Sequence, residues 1–225
     1  MTLTAESGDR TAQTQEAAPD GGREAILAAA AACFMDRGFA ATSIDEVAES
    51  VHATKGMVYH YFRSKADLFF AVHRRGMSIN LETIAPIARL DRDPVGRLSE
   101  MCRAHLSNML EYLSFQRVVM QGVEMHLAGS TTPGQRAELE LLMRERERYE
   151  ELFRAVLVEG REAGLFRFRS ASFASKAVLA ILNNPVIWYR DRKDETRQSR
   201  MPIIDEFTEF ALSSVAAIHL QEERK

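Results

Sequence analysis

The stretch from Ser43 to Lys65 constrains the fold of this chain more than any other part of the sequence. Ser43 is followed three residues later by Glu46, which is the spacing of a capping box at the start of a helix. Thr54 is a good N-cap for a second short helix. Apolar residues recur at helical spacing in both segments, and these are Ile44, Val47, Ala48, Val51, Val58 and Phe62. Two short helices separated by a tight turn form a helix-turn-helix, a motif whose second helix fits the major groove of DNA.

The residues around this motif also form a recognisable string. It consists of Thr42-Ser43-Ile44 and Val47-Ala48, then Thr54-Lys55-Gly56-Met57-Val58-Tyr59-His60-Tyr61-Phe62, and then Ser64-Lys65 and Leu68. The string resembles the DNA-binding domain of the TetR family of bacterial transcriptional regulators, and the resemblance covers about residues 23–72. Two residues of the turn depart from the family pattern. His52 stands where Gly is usual, at a position that often has a positive φ, and Ala53 is smaller than the usual Val.

The resemblance implies which residues contact DNA. Lys55 would reach a base edge or a phosphate from the tip of the second helix, where Gly56 lets the backbone approach the DNA. The full set of expected DNA-contacting residues is Thr42, Ser43, Thr54, Lys55, Gly56, Tyr59, His60, Tyr61 and Lys65. One such domain reads only a few base pairs, so we expect a homodimer on a palindromic double-stranded DNA operator.

Charge is distributed unevenly along the chain. The formal net charge is -3, which argues against non-specific binding of nucleic acid. Residues 54–75, however, contain five Lys or Arg residues against the single Asp67, a local charge of +4. The positive residues are Lys55, Arg63, Lys65, Arg74 and Arg75. A basic face confined to the helix-turn-helix predicts phosphate contacts at one site of an otherwise acidic protein.

The rest of the 225-residue chain predicts further helices and no strands, because apolar residues recur with a helical period and no segment alternates. Residues 1–22 lack an apolar period and are predicted to be a disordered tail. Residues 23–72 are the predicted helix-turn-helix domain, with its motif at about 43–62, and residues 77–221 are the predicted body. Gly38 is the expected stop of the first helix. The expected fold is all-α, with a three-helix head followed by a six-helix body.

The apolar inner positions of the predicted body suit a ligand pocket as well as a simple core. Its later helices are predicted over about residues 93–113, 115–127, 136–161, 172–189 and 201–220. Asn183 and Asn184 precede Pro185, which should kink the helix, and amides inside an apolar helix cost free energy unless they are partnered. We therefore expect an effector site formed by Met101, His105, Phe115, Met120, Asn183 and Trp188. The charged run from Arg144 to Arg148 is expected to be a solvated face.

The last two predicted helices carry more apolar surface than one small body needs. The residues concerned are Phe173, Val178, Ile181, Phe207, Phe210 and Val215, and we expect these helices to pack across a two-fold axis. The end Trp188-Tyr189-Arg190 also resembles a dimer-forming helix of a TetR branch associated with lipid and sterol breakdown. Asp191 follows where that branch has Pro-Asp-Gly. Several members of the branch respond to acyl-CoA thioesters, so the resemblance implies an acyl-CoA or another lipid-like effector.

Other classes of protein find little support in the sequence. No Gly-rich phosphate loop, Gly-x-Ser-x-Gly motif or His-x-x-x-His spacing is present, so we expect no enzyme activity, metal site or cofactor. No segment approaches the ~20 apolar residues of a membrane span, and the N-terminus lacks a signal pattern, which predicts a cytoplasmic location without a membrane partner. Cys33 and Cys102 are expected to be buried free thiols.

The sequence thus favours a DNA-binding transcriptional regulator, most simply a repressor that a small apolar or amphipathic effector releases from its operator. A second hypothesis is a helical small-molecule-binding or protein-interaction module without operator-specific DNA binding. A third is an enzyme built on a helical bundle, which the spacing of the polar residues disfavours. Gel-shift binding to DNA around the protein's own gene separates the first hypothesis from the second.

Overall fold

The computed structural model describes residues 19–129, 131–192 and 194–217, and these residues form ten helices. The first three are α1 (Pro19–Ala41), α2 (Ile44–Ser50) and α3 (Lys55–Tyr61). The others are α4 (Lys65–Ala88), α5 (Pro94–Glu111), α6 (Leu113–Ala128), α7 (Pro133–Glu162), α8 (Ala171–Asn183), α9 (Pro185–Trp188) and α10 (Arg197–Ser213). The predicted all-α fold is confirmed. Within the described ranges, a single β-bridge between Phe166 and Ala216 ties the chain after α7 to the chain after α10.

Several helix ends differ from the predicted ones. Helix α1 begins at Pro19, inside the predicted tail, and residues 1–18 lie outside the described residues. The expected stop at Gly38 is a break within α1, where φ is 76°. The predicted kink at Pro185 separates α8 from α9, so the six-helix body has its fifth helix in two pieces. Helix α10 begins and ends earlier than predicted, and residues 218–220 are not described.

The helix-turn-helix is built by the local contacts that the sequence predicts. The Ser43 hydroxyl accepts a hydrogen bond from the Glu46 amide at 3.2 Å, and the Ser43 amide donates to the Glu46 carboxylate at 2.8 Å. The Thr54 hydroxyl accepts from the Met57 amide at 3.2 Å and begins α3. His52 has a φ of 53°, so it takes the left-handed conformation that Gly would adopt more easily.

Helix α4 joins two hydrophobic clusters. The head cluster includes Phe34, Val47, Val58, Leu68 and Phe69, from all four of the first helices. The body cluster includes Met77, Ile84, Met101, Leu106 and Phe153. The change from one cluster to the other falls between Val72 and Met77 of α4. Val118, Leu139 and Leu142 of α6 and α7 also belong to the head cluster, so packing is continuous between head and body.

Two glycines let α4 and α6 pack closely where they cross. An added Cβ at Gly76 of α4 would lie 2.9 Å from Val119 Cγ2, and one at Gly122 of α6 would lie 2.5 Å from His73 Cδ2. Both distances are too short for a carbon–carbon contact, so any larger residue would push the helices apart. His73 is fully buried at this crossing, and burial lowers its pKa to about 3.

Candidate functional site

Helix α3 presents most of its surface to solvent. Val58 is its buried residue, whereas Met57 is 50% exposed and Tyr59 is 46% exposed. The side chains or backbone of Thr54, Lys55, Gly56 and His60 are exposed as well. An exposed Met and an exposed Tyr on so short a helix suit contact with another macromolecule. Met57 was absent from the predicted contact residues, although its place between Gly56 and Val58 puts it on the outer side.

The tip of α3 is open and carries one paired cation. An added Cβ at Gly56 would meet only Thr54 Oγ1, at 3.8 Å, so nothing blocks the backbone from outside. Lys55 Nζ donates to an Asp45 carboxylate oxygen at 2.7 Å. This hydrogen bond and the attraction of Asp45 raise the pKa of Lys55. Both partners are more than half exposed, so the pair is weak and Lys55 can exchange Asp45 for a phosphate.

Thr42 is a correction to the predicted DNA contacts. Its side chain is buried, and its hydroxyl donates to the Gly38 carbonyl at 2.9 Å and the Cys33 carbonyl at 3.1 Å. Those carbonyls belong to the end of α1 around the break at Gly38 and need a donor. The hydroxyl therefore faces the head interior and not DNA.

Three further predicted contact residues also make internal contacts. Lys65 Nζ donates to the Ala40 carbonyl at 3.0 Å and the Thr42 carbonyl at 2.9 Å. The Ser43 hydroxyl is part of the capping box of α2. Tyr61 is half-buried against the head cluster. A contact of these three residues with phosphate remains a prediction.

The predicted basic face is largely neutralised by partners from other helices. Arg74 pairs with Glu138 of α7 at 2.8 Å, and Arg75 pairs with Glu24 of α1 at 3.1 Å. The sequence count of +4 missed these partners because they lie 64 and 51 residues away in the chain. The positive charge available to DNA therefore lies on Lys55, Arg63 and Lys65 and does not extend along α4 to Arg74 and Arg75.

A cavity of about 280 Å³ lies in the body between α4, α5, α6, α7, α8 and α9. Three of the six residues predicted for the effector site line it, namely His105, Met120 and Asn183. The other three are corrections. Met101 is fully buried in the body cluster, and Phe115 packs against the head cluster. Trp188 is 49% exposed and lies at the outer surface, because α9 turns its indole away from the bundle.

His105 is the centre of a hydrogen-bonded chain at the cavity wall. Its Nε2 lies 3.2 Å from Asn183 Oδ1, and its Nδ1 lies 2.6 Å from the Tyr149 hydroxyl. An amide oxygen only accepts, so Nε2 carries the proton and Nδ1 accepts from Tyr149. Burial lowers the pKa of His105 to about 4 and raises the pKa of Tyr149, so both groups are neutral near pH 7. The amide nitrogen of Asn183 is then a donor at the cavity.

A buried cluster of three amides, two of which (Asn80 and Gln116) line the cavity, was missed in the sequence analysis. Asn80 Nδ2 donates to Gln116 Oε1 at 3.0 Å, and Gln116 Nε2 donates back to Asn80 Oδ1 at 3.2 Å. Asn108 Nδ2 adds a bond to Asn80 Oδ1 at 3.3 Å. The cluster joins α4, α5 and α6. Each amide lies within an apolar helical pattern, the same signal that drew attention to Asn183.

Arg146 is a further cavity residue, and it corrects the prediction of a solvated face from Arg144 to Arg148. Its side chain lines the cavity, and burial lowers its pKa. Arg146 lies four residues after Leu142 and seven after Leu139, which are both fully buried. That spacing places it on the inner face of α7, a signal that the alternating charges of the run obscured.

Exposed apolar side chains gather on α8, α9 and α10. Phe173 is 77% exposed, Ile187 65% and Phe210 53%, and Trp188 lies 6.1 Å from Phe207 between ring centroids. Ile181 and Phe207, also predicted for this surface, are half-buried. Two predicted members are corrections, because Val178 and Val215 are buried in the body cluster. Exposed apolar side chains on neighbouring helices are typical of a surface that contacts a protein partner.

Helix α6 connects the cavity to the head. Gln116, Val119 and Met120 of α6 line the cavity. Gln121 Nε2 donates to the Phe34 carbonyl of α1 at 2.9 Å, and Val118 packs into the head cluster. A displacement of α6 at the cavity therefore moves contacts of the head directly.

Comparisons with known proteins agree with this architecture. Residues 26–72 match the family described as bacterial regulatory proteins, tetR family, and residues 91–215 match the tetracyclin repressor-like C-terminal domain. The HTH-type transcriptional activator FasR of Mycolicibacterium smegmatis is 33% identical over 76 residues, which are 34% of this chain and 35% of FasR. The HTH-type transcriptional repressor BepR of Brucella suis biovar 1 is 35% identical over 69 residues, which are 31% of this chain and 33% of BepR. The chain thus matches about a third of the length of these relatives.

Among solved structures, AibR in complex with isovaleryl coenzyme A and operator DNA has the same fold. The TM-score is 0.68 at 20% identity, and the match covers 87% of this chain and 98% of AibR. A helix-turn-helix is a DNA-binding motif, and here it forms the head of a helical body that contains a cavity. The chain belongs to the TetR family of bacterial regulatory proteins, since the C-terminal match alone covers more than half of it. No helix in the described ranges is long and apolar enough to cross a membrane.

Proposed function

We propose that this protein is a transcriptional repressor that binds a palindromic operator as a homodimer and is released by a small apolar or amphipathic effector. The observation that carries the proposal is the position of α6, which lines the cavity on one side and bonds to the head on the other. BepR is a repressor and FasR is an activator, so the two relatives differ in the direction of regulation. That this protein represses transcription is therefore part of the proposal.

The operator is read by α3 of each head. Thr54, Lys55 and Gly56 lie at its exposed tip, where a side chain reaches a base edge and the backbone approaches closely. Tyr59 and His60 lie further along the exposed face and contact phosphates. In a two-fold dimer the two α3 helices must sit ~34–36 Å apart to enter successive major grooves.

The dimer forms through α8, α9 and α10. Phe173, Ile187 and Phe210 are each more than half exposed in the single chain, and burial of such side chains stabilises each by about 1.5–3 kcal/mol. A two-fold axis brings the same patch of both copies together, so one patch is sufficient for a closed dimer.

The effector enters the cavity of the body. AibR is described in complex with isovaleryl coenzyme A, and the Trp188-Tyr189-Arg190 end resembles a branch that responds to acyl-CoA thioesters. The cavity of about 280 Å³ is just below the ~300–1,000 Å³ of common small-molecule sites. The acyl part of such a molecule matches this volume, and a nucleotide part would lie outside. An effector that displaces α6 shifts the head through Gln121 and Val118, and the two α3 helices lose their spacing.

Gel-shift and light-scattering measurements test this proposal. We expect a dimer at micromolar concentration, saturable binding to DNA around the protein's own gene, and protection of two half-sites one helical turn apart. A monomer with no preference for any genomic fragment would leave the second hypothesis, a helical binding or interaction module, as the better one.

The effector site is tested by Asn183→Leu, with Asn184→Ala as the matched control. The leucine fills the cavity with apolar volume, so the variant should bind operator as a dimer and no longer respond to an effector found by screening. Asn184, whose Oδ1 accepts from Trp188 Nε1 at 2.8 Å, lies outside the lining, and its variant should respond normally. If the effector released the Asn183→Leu variant from operator DNA at the same concentration as the wild type, the cavity would not be the effector site. Linkage also requires operator DNA to weaken effector binding by the same factor.

A further inference from the structure

Within the described ranges, Arg146 differs from the other partly buried arginines of the body in having neither a carboxylate nor a carbonyl partner. Arg117 donates to the Val186 carbonyl at 3.1 Å and the Tyr189 carbonyl at 2.7 Å. Arg97 pairs with Glu159, and Arg154 pairs with Glu151. For Arg146 the structure gives no hydrogen bond or salt bridge with any described residue, only an electrostatic influence from Glu150 one turn away. A half-buried guanidinium without a partner is expensive, because it loses hydration without gaining hydrogen bonds.

The nearby carboxylates do not supply the missing partner. Glu150 lines the same cavity, but it accepts hydrogen bonds from Ser175 at 2.8 Å and Lys176 at 3.2 Å. Glu147 also lines the cavity, but it is exposed and has no hydrogen bond or salt bridge to Arg146 among the described residues. The Glu150 carboxylate is therefore bound by Lys176 of α8 and is not paired with Arg146.

The positive charge of Arg146 affects the pKa of two buried histidines. Its positive charge contributes to the lowered pKa of both His105 and His73, after burial, which is the main cause. His105 stays neutral near pH 7 and does not add to the positive charge of the wall. Arg146 is then the permanent cation of the lining, and a bound anion would meet it in a site of low dielectric.

The rest of the lining is mainly apolar and adaptable. Met77, Met109 and Met120 come from three different helices and surround the space together with Val119 and Leu179. Methionine fills irregular space and adapts to flexible apolar chains. The lining thus combines one arginine, the carboxylates of Glu147 and Glu150, and a methionine-rich wall.

We propose that the cavity accepts a small organic monoanion, a carboxylate with an apolar chain, whose carboxylate pairs with Arg146 while the chain lies among the methionines. The Asn183 amide donates a second hydrogen bond to the ligand. This inference rests on the proposed function, because it names the chemical class of the effector for the same cavity.

Titration calorimetry with matched probes tests the inference. The full-length protein is titrated with octanoate, with its uncharged isostere octanamide, and with octanoyl-CoA, in the wild type and in Arg146→Met. Octanoate should bind at least tenfold more tightly than octanamide, since a charge-assisted hydrogen bond is roughly twice as strong as a neutral one. Arg146→Met should lose that advantage and bind octanamide as before. Arg148→Met, an exposed arginine of the same helix, is the control and should bind octanoate normally.

Stability of the ligand-free variant gives an independent readout. Methionine replaces an unpaired cation by an apolar chain of similar length, so the melting temperature of Arg146→Met should equal or exceed that of the wild type. A marked fall would show that Arg146 has a structural partner and would overturn the inference.

The remaining outcomes separate this inference from the proposed function. Equal binding of octanoate and octanamide, or binding of none of the three probes, overturns the carboxylate assignment. If only octanoyl-CoA binds, and Arg146→Met weakens that binding, Arg146 pairs with the phosphates of the CoA thioester. This outcome also overturns the carboxylate assignment. In each case the release of DNA by a screened compound, and its loss in Asn183→Leu, still tests the cavity as the effector site.

Discussion

Helix α3 and the cavity are the two binding regions of this protein, and they are built in opposite ways. Helix α3 is seven residues long, and Val58 alone of them is buried. The cavity draws its wall from six helices, and residues such as Asn80 and His105 hold those helices together while they face the ligand space. Substitutions of exposed residues on α3 should therefore change DNA binding and leave the free energy of unfolding unchanged. Substitutions of the hydrogen-bonded residues of the cavity wall should change both ligand binding and the free energy of unfolding.

Mild acid should reveal the largest difference between the two regions. Burial lowers the pKa of His105 to about 4 and that of His73 to about 3, against ~6.5 in the unfolded chain. Below pH 6.5 the unfolded state therefore binds protons that the folded state does not, so the free energy of unfolding falls as pH falls. Between pH 7 and pH 5 the loss should be about 2 kcal/mol for each histidine.

Urea denaturation at several pH values measures this loss. His105→Gln should remove about half of it. A wild-type stability that does not change between pH 7 and pH 5 would mean that neither histidine is held neutral by burial.

Removal of one amide from the buried cluster should have the next largest effect. Asn80→Leu deprives Gln116 and Asn108 of their partner, and an unsatisfied buried amide costs about 1–3 kcal/mol. His60→Ala on α3 is the comparison, and we expect a change below about 0.5 kcal/mol because His60 is exposed. Equal stability losses in the two variants, measured by urea denaturation, would contradict the contrast between the regions.

Substitutions at the exposed face of α3 should weaken operator binding with the fold intact. At 0.1 M salt we expect Lys55→Ala to lose about tenfold in affinity, with a salt slope lower by about one unit, as for one lost phosphate contact. Tyr59→Phe should also bind less tightly. Lys176→Ala, an exposed lysine of the body, is the control for overall charge. Operator affinity that is unchanged in both α3 variants would exclude α3 as the reading helix.

The smallest expected effect is a gain in operator affinity. Asp45→Asn removes the carboxylate that holds Lys55 at 2.7 Å, and it also removes a negative charge beside the DNA. Operator affinity should rise a few-fold, most clearly at low salt, because like charges repel over about a Debye length. A loss of affinity would mean that Asp45 positions Lys55 for the DNA and does not compete with it.

The parts of the structure that could be predicted from sequence are those with local causes. The capping box of Ser43, the left-handed His52 and the break at Pro185 depend on neighbours within a few residues. Thr42 could not be assigned, because its partners Cys33 and Gly38 are set by the way α1 ends, and the family string does not record the direction of the hydroxyl.

Much of the cavity could not be predicted, because it is assembled from distant parts of the chain. His105, Met120 and Asn183 were identified as unusual residues in apolar patterns, but nothing in a single sequence pairs Asn80 with Gln116 across 36 residues. Trp188 was predicted to line the effector site because it is large and apolar. The sequence does not indicate which way the side chains of α9 point. Arg146 was assigned to solvent by its charged neighbours, while its spacing from Leu142 placed it inside.

The close crossing of α4 and α6 at Gly76 and Gly122 is a point about which a small tilt of α4 would be amplified at the head. Gly76 lies eleven residues from Lys65, so the arm from the crossing to the start of α4 is about 16 Å long at 1.5 Å per residue. A tilt of about 5° at the crossing then moves the start of α4 by about 1.4 Å, comparable to the ~1–2 Å helix shifts that switch other regulated proteins. A bulkier residue at Gly122 would push α4 away from α6 and so displace the start of α4, whether or not the cavity is filled.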